Sequence, residues 1–385
     1  MAPQASDTAI QDLNTLVSNV VVLLTKLEAT LTSLSKQTKT AATPSSSGTA
    51  SDFDSLRVAH DSASLIKSHT TKLSLLIITE PFTPSAICTV LRELVSGPVP
   101  ALAAAAETCD PARYTTDFSQ ALNSKCHFVL RDLRTFILKI PTDGKVLSDE
   151  AQRVSTDGSG KGSMAMTGLL WSICDDLMSF SQAGVSGYYI QKVEETRLTL
   201  KDIIEELKEW SEEEEDDDED DDEPVHADFD SAVDVGDSRG NSPGPGGAAQ
   251  AVLDDLMNSA GTIPRDDPDN IRGRVEICLR RLRLSMILCQ AVTKRRLKAA
   301  PKFPAEDAGV VRTLERAIGS LKQLPDRFED AAMAFYDLDP AGIDASMKVC
   351  AEEAVGVAKM LEKSWAGEKD EFTEWAEKFE VQITK

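Results

Sequence analysis

Residues 7–39, DTAIQDLNTLVSNVVVLLTKLEATLTSLSKQTK, carry the pattern that decides the fold. Large aliphatic residues recur every seven positions, and a second set of leucines fills the alternate position. Such a repeat is typical of an amphipathic helix that buries one face. We therefore predict a first helix over this stretch. The residues of the repeat are Leu13, Val20, Leu27 and Leu34, with Leu16 and Leu23 at the alternate position.

This apolar stripe allows two interpretations. The helix can pack inside an antiparallel bundle formed by its own chain. Alternatively, Leu13, Val20, Leu27 and Leu34 can form a surface offered to a helix of another protein. A Thr/Ser/Gly/Pro-rich connector follows the helix, which would let it detach, so the sequence leaves both interpretations open.

The rest of the chain repeats the helical pattern. Apolar residues recur at helical spacing, whereas alternating runs rich in Val, Ile and Thr are almost absent. In the segment 112–140 the expected core includes Phe118 and Phe128. We therefore predict an all-α protein built from antiparallel helical bundles. The further predicted helical segments are 52–79, 112–140, 269–298, 305–324, 325–338, 341–366 and 368–383.

Twelve consecutive acidic residues, Glu212 to Glu223, interrupt the helical pattern. So many carboxylates cannot be packed in a core, and a polar Gly/Pro-rich stretch follows them, so we predict a disordered linker between two helical halves. Whether the two halves pack together is left open. The predicted organisation is an N-terminal helix (1–40), a flexible connector (41–51), a helical bundle region (52–211), an acidic linker (212–247) and a C-terminal helical region (248–385).

Composition restricts the class of protein. The net charge of −23 argues against general nucleic-acid binding, because the phosphates would be repelled. The 7 cysteines form no close pair, which predicts reduced thiols in an intracellular protein. Apolar stretches fall short of the roughly 20 residues that a membrane span needs, and no leader pattern is seen at the start, so we expect a soluble protein.

Motifs for catalysis are missing from the sequence. The segment Gly158–Ser163 superficially resembles a phosphate-binding loop, but Ser155 replaces its first glycine and Gly162 replaces the residue that holds magnesium. The 4 histidines have no partner at metal-ligand spacing. We therefore expect a protein that is not an enzyme and that uses no cofactor and no metal.

A strongly basic segment lies in the second half. Residues 272–298 carry nine basic side chains against a single acid, Glu276. This segment can be a solvated helix face, a short nuclear-import signal at Lys294, Arg295, Arg296 and Lys298, or a surface that attracts the acidic run within the same chain. The sequence leaves these three uses open.

Two serines lie in contexts that suit kinases. Ser211 precedes Glu212–Glu214, as acid-directed kinases prefer, and Ser242-Pro243 is a proline-directed site. We treat both serines as possible phosphorylation sites. A phosphate at Ser211 would add further negative charge to the acidic run.

The segment 167–177, TGLLWSICDDL, resembles the most recognisable stretch of the cyclin-D-binding protein family, also called Grap- and cyclin-D-interacting proteins. The order of parts is also similar: a helical N-terminal region, this motif, a Glu/Lys-rich helix, an acidic insert and a C-terminal helical region. The motif residues are Gly168, Leu170, Trp171, Cys174, Asp175 and Leu177.

The resemblance implies a function. Family members are similar to helix-loop-helix proteins without a DNA-contacting basic region, and they bind D-type cyclins and sequester transcription factors in nucleus and cytoplasm. It implies a regulator of the cell cycle or transcription that binds cyclin or helix-loop-helix partners through helix faces, with Trp171, Ile173, Cys174 and Leu177 buried. The alternatives are a cytoskeletal adaptor of the vinculin and talin type and, third, an acidic histone-binding chaperone.

Overall fold

The structure is a computed structural model that describes residues 7–37, 54–153, 162–212 and 261–385. Within these ranges all regular structure is helical, which confirms the predicted all-α class. The predicted connector at 41–51 and the predicted linker at 212–247, apart from Glu212, lie outside the described residues, as does Ser242.

The chain forms two compact units that are interleaved in sequence. Unit 1 consists of Met1–Lys192 and Lys294–Ile318, and unit 2 consists of Val193–Thr293 and Gly319–Lys385. The division expected from the sequence, with halves ending at 211 and beginning at 248, is therefore different from the observed one. We placed the predicted boundary at the acidic run because the charge changes there. The boundaries of compact units, however, depend on which apolar faces pack together.

Unit 1 is a bundle of amphipathic helices. Helix α1 packs against α3, α4 and α6, and α2 packs against α3 and α4. Asp54 caps α2 by accepting hydrogen bonds from the backbone N–H groups of Leu56 and Arg57, and prolines begin α3, α4 and α5. The first eight described helices begin in this unit: α1 (Asp7–Gln37), α2 (Ser55–Ile78), α3 (Pro84–Ser96), α4 (Pro98–Thr108), α5 (Pro111–Tyr114), α6 (Thr116–Ile137), α7 (Asp149–Arg153) and α8 (Ser163–Glu212).

The apolar stripe of α1 lies against its own bundle. Asn123 of α6 donates a hydrogen bond to the carbonyl of Leu31 at 2.8 Å, and Arg134 of α6 pairs with Glu28 at 2.7 Å. These contacts favour the interpretation that α1 packs inside its own bundle over the interpretation that it binds a helix of another protein. The buried residues of α1 are Leu13, Val17, Val20, Leu24 and Leu31, whereas Leu16, Leu23, Leu27 and Leu34 are only half-buried.

Two of the predicted helical segments have different limits in the structure. The segment 112–140 is divided by Thr115, whose φ of 87° separates α5 from α6. Tyr189 donates a hydrogen bond to the Thr115 hydroxyl at 2.8 Å and holds this strained residue in place. Conversely, two segments that were predicted as separate helices, 305–324 and 325–338, form one continuous helix that runs through Pro325.

Helix α8 links the two units and changes direction at one residue. Its 50 residues are interrupted at Gly184, which has φ 61° and ψ −168°. Glycine alone adopts this conformation readily, because a Cβ atom would clash with the backbone. The residues before Gly184 belong to unit 1, and those from Val193 onward belong to unit 2.

Unit 2 contains the C-terminal part of α8 and the part of the basic segment up to Thr293. Helix α9 (Ile271–Val292) packs against α11 (Pro340–Met360) and α12 (Glu371–Ile383), and a π-helical turn (Thr293–Leu297) follows α9. Helix α10 (Ala308–Tyr336) begins in unit 1 and ends in unit 2. Asp370 caps α12 with a reciprocal hydrogen-bond pair to Thr373.

Two segments have the length and composition of a membrane span, which the sequence-based expectation did not anticipate. They are Asp7–Lys36 and Pro84–Thr108, each with a mean hydropathy of 1.3. The core helices of a bundle pass the same test. In this structure, Leu13, Leu24 and Ile87 from these segments are fully buried within unit 1.

Candidate protein-binding site

The motif at the start of α8 has two faces with opposite surroundings. Leu170, Cys174 and Leu177 are fully buried and belong to the core of unit 1. On the other side, Met164 is 59% exposed and Trp171 is 37% exposed. The expectation that Trp171 is buried with the rest of the motif is therefore wrong, because residue 171 lies about 100° around the helix from Leu170. Ile173 is half-buried.

Gly168 lies between the two exposed apolar side chains. The three residues Met164, Gly168 and Trp171 follow the i, i+4, i+7 spacing of one helix face. A Cβ atom built on Gly168 would meet nothing within 4 Å. The glycine therefore leaves open space on the helix face between an exposed methionine and an exposed tryptophan, and we call these three residues the α8 notch.

Two acidic residues of the motif fix the orientation of α8. Asp175 accepts hydrogen bonds from Lys67 of α2 at 2.6 and 2.7 Å, and the next residue, Asp176, pairs with Lys125 of α6. The adjacent carboxylates thus reach opposite neighbours. Because both pairs are largely exposed, each contributes at most about 1 kcal/mol, so they orient the helix more than they stabilise it.

Helix α2 runs antiparallel to the first half of α8. Gln182 contacts His60 at 3.0 Å, and Asp175 contacts Lys67. From the first pair to the second, the residue number falls by seven in α8 and rises by seven in α2, so the two helices run in opposite directions. Continuing this register places Trp171 level with Thr71. Leu75, one turn beyond Thr71, is 56% exposed. An exposed apolar residue of α2 therefore lies close to the level of the α8 notch.

An aromatic cluster packs between α6 and the residues of α8 on both sides of Gly184. Phe118 stacks on Phe180 with ring centroids 4.7 Å apart, and Tyr188 meets both rings edge-on. Stacked and edge-to-face pairs contribute about 0.5–1.5 kcal/mol beyond their buried area. This cluster makes the first half of α8 a rigid support for the α8 notch.

Phe128 of α6 was expected in the core and is exposed. Its side chain is 44% exposed, and the Arg131 guanidinium lies 4.8 Å from the ring centroid. A cation over an aromatic face compensates part of the lost burial. The prediction placed Phe128 in the core together with Val129, but of these two neighbours only Val129 is buried.

The proposed import signal lies at the end of α9. Lys294, Arg295 and Lys298 are exposed, whereas Arg296 is buried. The Arg296 guanidinium donates to the backbone carbonyl of Arg295 at 3.1 Å. The folded π-helical turn therefore presents only part of the basic cluster to solvent.

The possible phosphorylation site Ser211 is in the last turn of α8. Its hydroxyl is half-exposed and donates to the Lys208 carbonyl at 2.8 Å. This hydrogen bond is the ordinary one of a helical serine. The second possible site, Ser242, lies outside the described residues.

The sequence did not lead us to predict Met164 and Leu75 as surface residues. The signal for Met164 was available, because it lies seven residues before Trp171 with a glycine at the intermediate position. The exposure of Leu75 had no such signal, since it depends on which flank of α2 the rest of unit 1 covers.

The cysteines show no arrangement for catalysis or metal binding. All 7 are free and buried. Burial raises the pKa of Cys174 to about 12, so its thiol stays protonated and unreactive. Among the described residues, no group of three or more His, Cys, Asp and Glu side chains is placed to hold a metal ion.

Comparison with known families supports the resemblance seen in the motif. Residues 59–213 match the sequence model of the family described as Grap2 and cyclin-D-interacting, N-terminal. The match begins in α2 and ends just after α8, so it includes the α8 notch and leaves α1 outside. The resemblance to this family is thereby confirmed over these residues. No curated protein matches the chain.

Proposed function

We propose that this protein, whose residues 59–213 match the N-terminal region of Grap2 and cyclin-D-interacting proteins, is a non-enzymatic regulator that binds a helix of a partner protein in the α8 notch. The partner class is a D-type cyclin or a helix-loop-helix protein. The observation that carries the proposal is the exposure of Trp171 and Met164 on either side of the open position at Gly168.

The α8 notch has the features of a helix-binding site. Tryptophan is enriched among the few interface residues that carry most of the binding free energy. A partner helix inserts apolar side chains at i, i+3, i+4 and i+7 into such a surface. A Cβ atom built at Gly168 would meet no neighbour within 4 Å, so such a side chain can approach the α8 backbone closely there. Because the opposite face of α8 is fixed by Leu170, Cys174 and Leu177, binding requires no rearrangement of the core.

The absence of an enzymatic role is part of the proposal. The carboxylates of the motif are engaged in ion pairs with Lys67 and Lys125, and Cys174 is buried with a raised pKa. None of these groups is placed as a nucleophile or general base beside the α8 notch. Stoichiometric binding is the activity that these residues support best.

The test exploits the open space at Gly168. In the Gly168→Ala variant the added methyl group meets no neighbour, so the fold is retained and the α8 helix gains about 0.5–1 kcal/mol. The added methyl group, however, occupies the open space beside the α8 backbone. We expect binding to a purified D-type cyclin or helix-loop-helix partner to weaken roughly tenfold, and Trp171→Ala to weaken it by more, about 2 kcal/mol.

A matched control is available in α10. Gly319 is also helical and also has nothing within 4 Å of an added Cβ, so Gly319→Ala makes the same chemical change on a different helix. Its partner binding should equal that of the unchanged chain. Equal binding by Gly168→Ala, Trp171→Ala and Gly319→Ala would refute the site, and binding of filament proteins in place of both partner classes would favour the adaptor function.

Localisation in both cytoplasm and nucleus is proposed from the same resemblance. Lys294, Arg295 and Lys298 are the exposed members of the basic cluster. Replacing these three with alanine leaves the buried Arg296 in place and should lower the nuclear fraction of a fluorescently tagged chain. An unchanged nuclear fraction would remove the import signal from the proposal.

A further inference from the structure

Helix α9 presents a basic face whose arginines form no ion pair with any described residue. Arg280 and Arg283 are both exposed, and neither makes a hydrogen bond or ion pair with any described residue. Their neighbours differ: Arg274 pairs with Asp344, and Arg281 donates to the Met347 carbonyl at 3.0 Å. In a protein with 64 acidic and 41 basic residues, unpaired arginines on one face need an explanation.

The α9 basic face consists of Arg272, Arg280 and Arg283. The three residues follow one another at i, i+8 and i+11, so their side chains share the outer side of the helix. Glu276 is also exposed on this side, and it is the one acid between Ile271 and Val292. The three arginines span about 16 Å along the helix axis.

The acidic run begins close to the start of this face. Glu212 ends α8, and two residues earlier the Trp210 indole donates to the Gly261 carbonyl at 3.1 Å. Gly261 in turn donates to the Tyr336 carbonyl at 2.9 Å. Glu212 and Gly261, the described residues on either side of 213–260, therefore lie close together in unit 2.

The same point is connected to the α9 basic face. The Arg272 guanidinium donates to the carbonyl of Ile263, two residues after Gly261, at 3.3 Å. Glu212 is thus tethered near the end of α9 at which Arg272 lies. Twelve residues can extend to roughly 40 Å, so the acidic run is long enough to follow the full 16 Å or so of the face.

We infer that Glu212–Glu223 docks on the α9 basic face of the same chain. Twelve carboxylates meet three arginines whose charge is not neutralised by any described residue, and the short tether gives the run a high effective concentration. The contact is electrostatic and exposed, so it depends on salt. By occupying the arginines, the run also excludes acidic segments of other proteins from this face. The inference is independent of binding at the α8 notch.

The experiment compares the unchanged chain with a full-length, charge-neutral chain in which each Glu and Asp of 212–223 is replaced by Gln and Asn. A fluorescent peptide with the sequence of residues 212–223 is the probe, and anisotropy measures its binding at about 50 mM salt, where screening is weak. We expect the charge-neutral chain to bind the peptide at least tenfold more tightly than the unchanged chain, whose own run occupies the face.

Two controls locate the contact. Adding Arg280→Ala and Arg283→Ala to the charge-neutral chain should weaken peptide binding at least tenfold, whereas Arg92→Ala with Arg316→Ala, two exposed arginines of unit 1, should not. A peptide with Gln and Asn in place of its acids should not bind. Circular dichroism of each variant confirms that the helices are retained.

Three results would overturn the inference. One is no binding of the acidic peptide to the charge-neutral chain. Another is equal binding with and without Arg280 and Arg283. The third is equal binding to the unchanged and charge-neutral chains, which would mean that the α9 basic face is free and is available to an acidic ligand from outside the chain.

Discussion

Leu170 and Trp171 are neighbours in the sequence with opposite roles at the scale of single residues. Leu170 is fully buried, whereas more than a third of Trp171 is exposed. Leu170→Ala should lower the free energy of unfolding by about 2–5 kcal/mol, because it removes buried methyl groups and leaves a cavity. Trp171→Ala, although it removes more atoms, should cost only about 1–2 kcal/mol. Urea denaturation of both variants measures this, and a larger loss for Trp171→Ala would contradict the orientation of α8.

The cysteines give a second prediction at this scale. Burial raises the pKa of Cys109, Cys278 and Cys350 to about 12, against an ordinary value near 8.5. Only the thiolate is nucleophilic, so at pH 8 the native chain should react with a disulfide reagent far more slowly than a free thiol. In denaturant all 7 cysteines should react. Rapid modification of the native protein would show that these residues are accessible.

The same pKa shifts set the direction of a pH effect. The unfolded chain ionises its thiols above about pH 8.5, whereas the native chain keeps them protonated up to a higher pH. Below about pH 8.5 the buried thiols therefore leave the free energy of unfolding unchanged, and above it the free energy of unfolding decreases as the pH rises. Denaturation midpoints measured between neutral and alkaline pH should fall, and replacing Cys278 with alanine should reduce the slope.

At the scale of elements, the change of direction in α8 depends on Gly184. Its φ of 61° with ψ of −168° lies in a region that is nearly restricted to glycine. Gly184→Ala should therefore lower the stability by about 1–3 kcal/mol. The control is Gly356→Ala in α11, which has ordinary helical geometry and open space, and which should be neutral or slightly stabilising. Thermal unfolding of both variants measures the difference. Equal stability of the two variants would mean that α8 can straighten at Gly184 without a loss of stability.

At the scale of the whole molecule, the interleaving of the units predicts that neither half folds well alone. Residues 294–318 belong to unit 1, where the Ala305 N–H donates to the Arg113 carbonyl at 2.8 Å and Glu315 accepts from the Thr116 N–H. When residues 1–212 and 213–385 are expressed as separate chains, we expect them to co-purify and to regain full helicity only together. The prediction would be contradicted if the fragment 1–212 alone unfolded cooperatively with the stability of the full chain.

Sequence patterns predicted those features that depend on local spacing. The 3.6-residue periodicity and the lack of alternating runs predicted the all-α class, and the segment 167–177 predicted the family resemblance that the match over residues 59–213 confirms. Leu170, Cys174 and Leu177 were placed on the core face because large apolar residues at helical spacing exclude water together. The amino-acid order by itself determines these features, since they follow from the geometry of one helix.

The tertiary structure decided the features that depend on which helices meet. The exposure of Trp171, Phe128 and Leu75 depends on which side of each helix is covered by its neighbours. The return of residues 294–318 to unit 1 follows from packing between segments that are distant in sequence. Burial of an apolar side chain depends on its partner across the interface, and the sequence encodes that partner only through the folding of the whole chain.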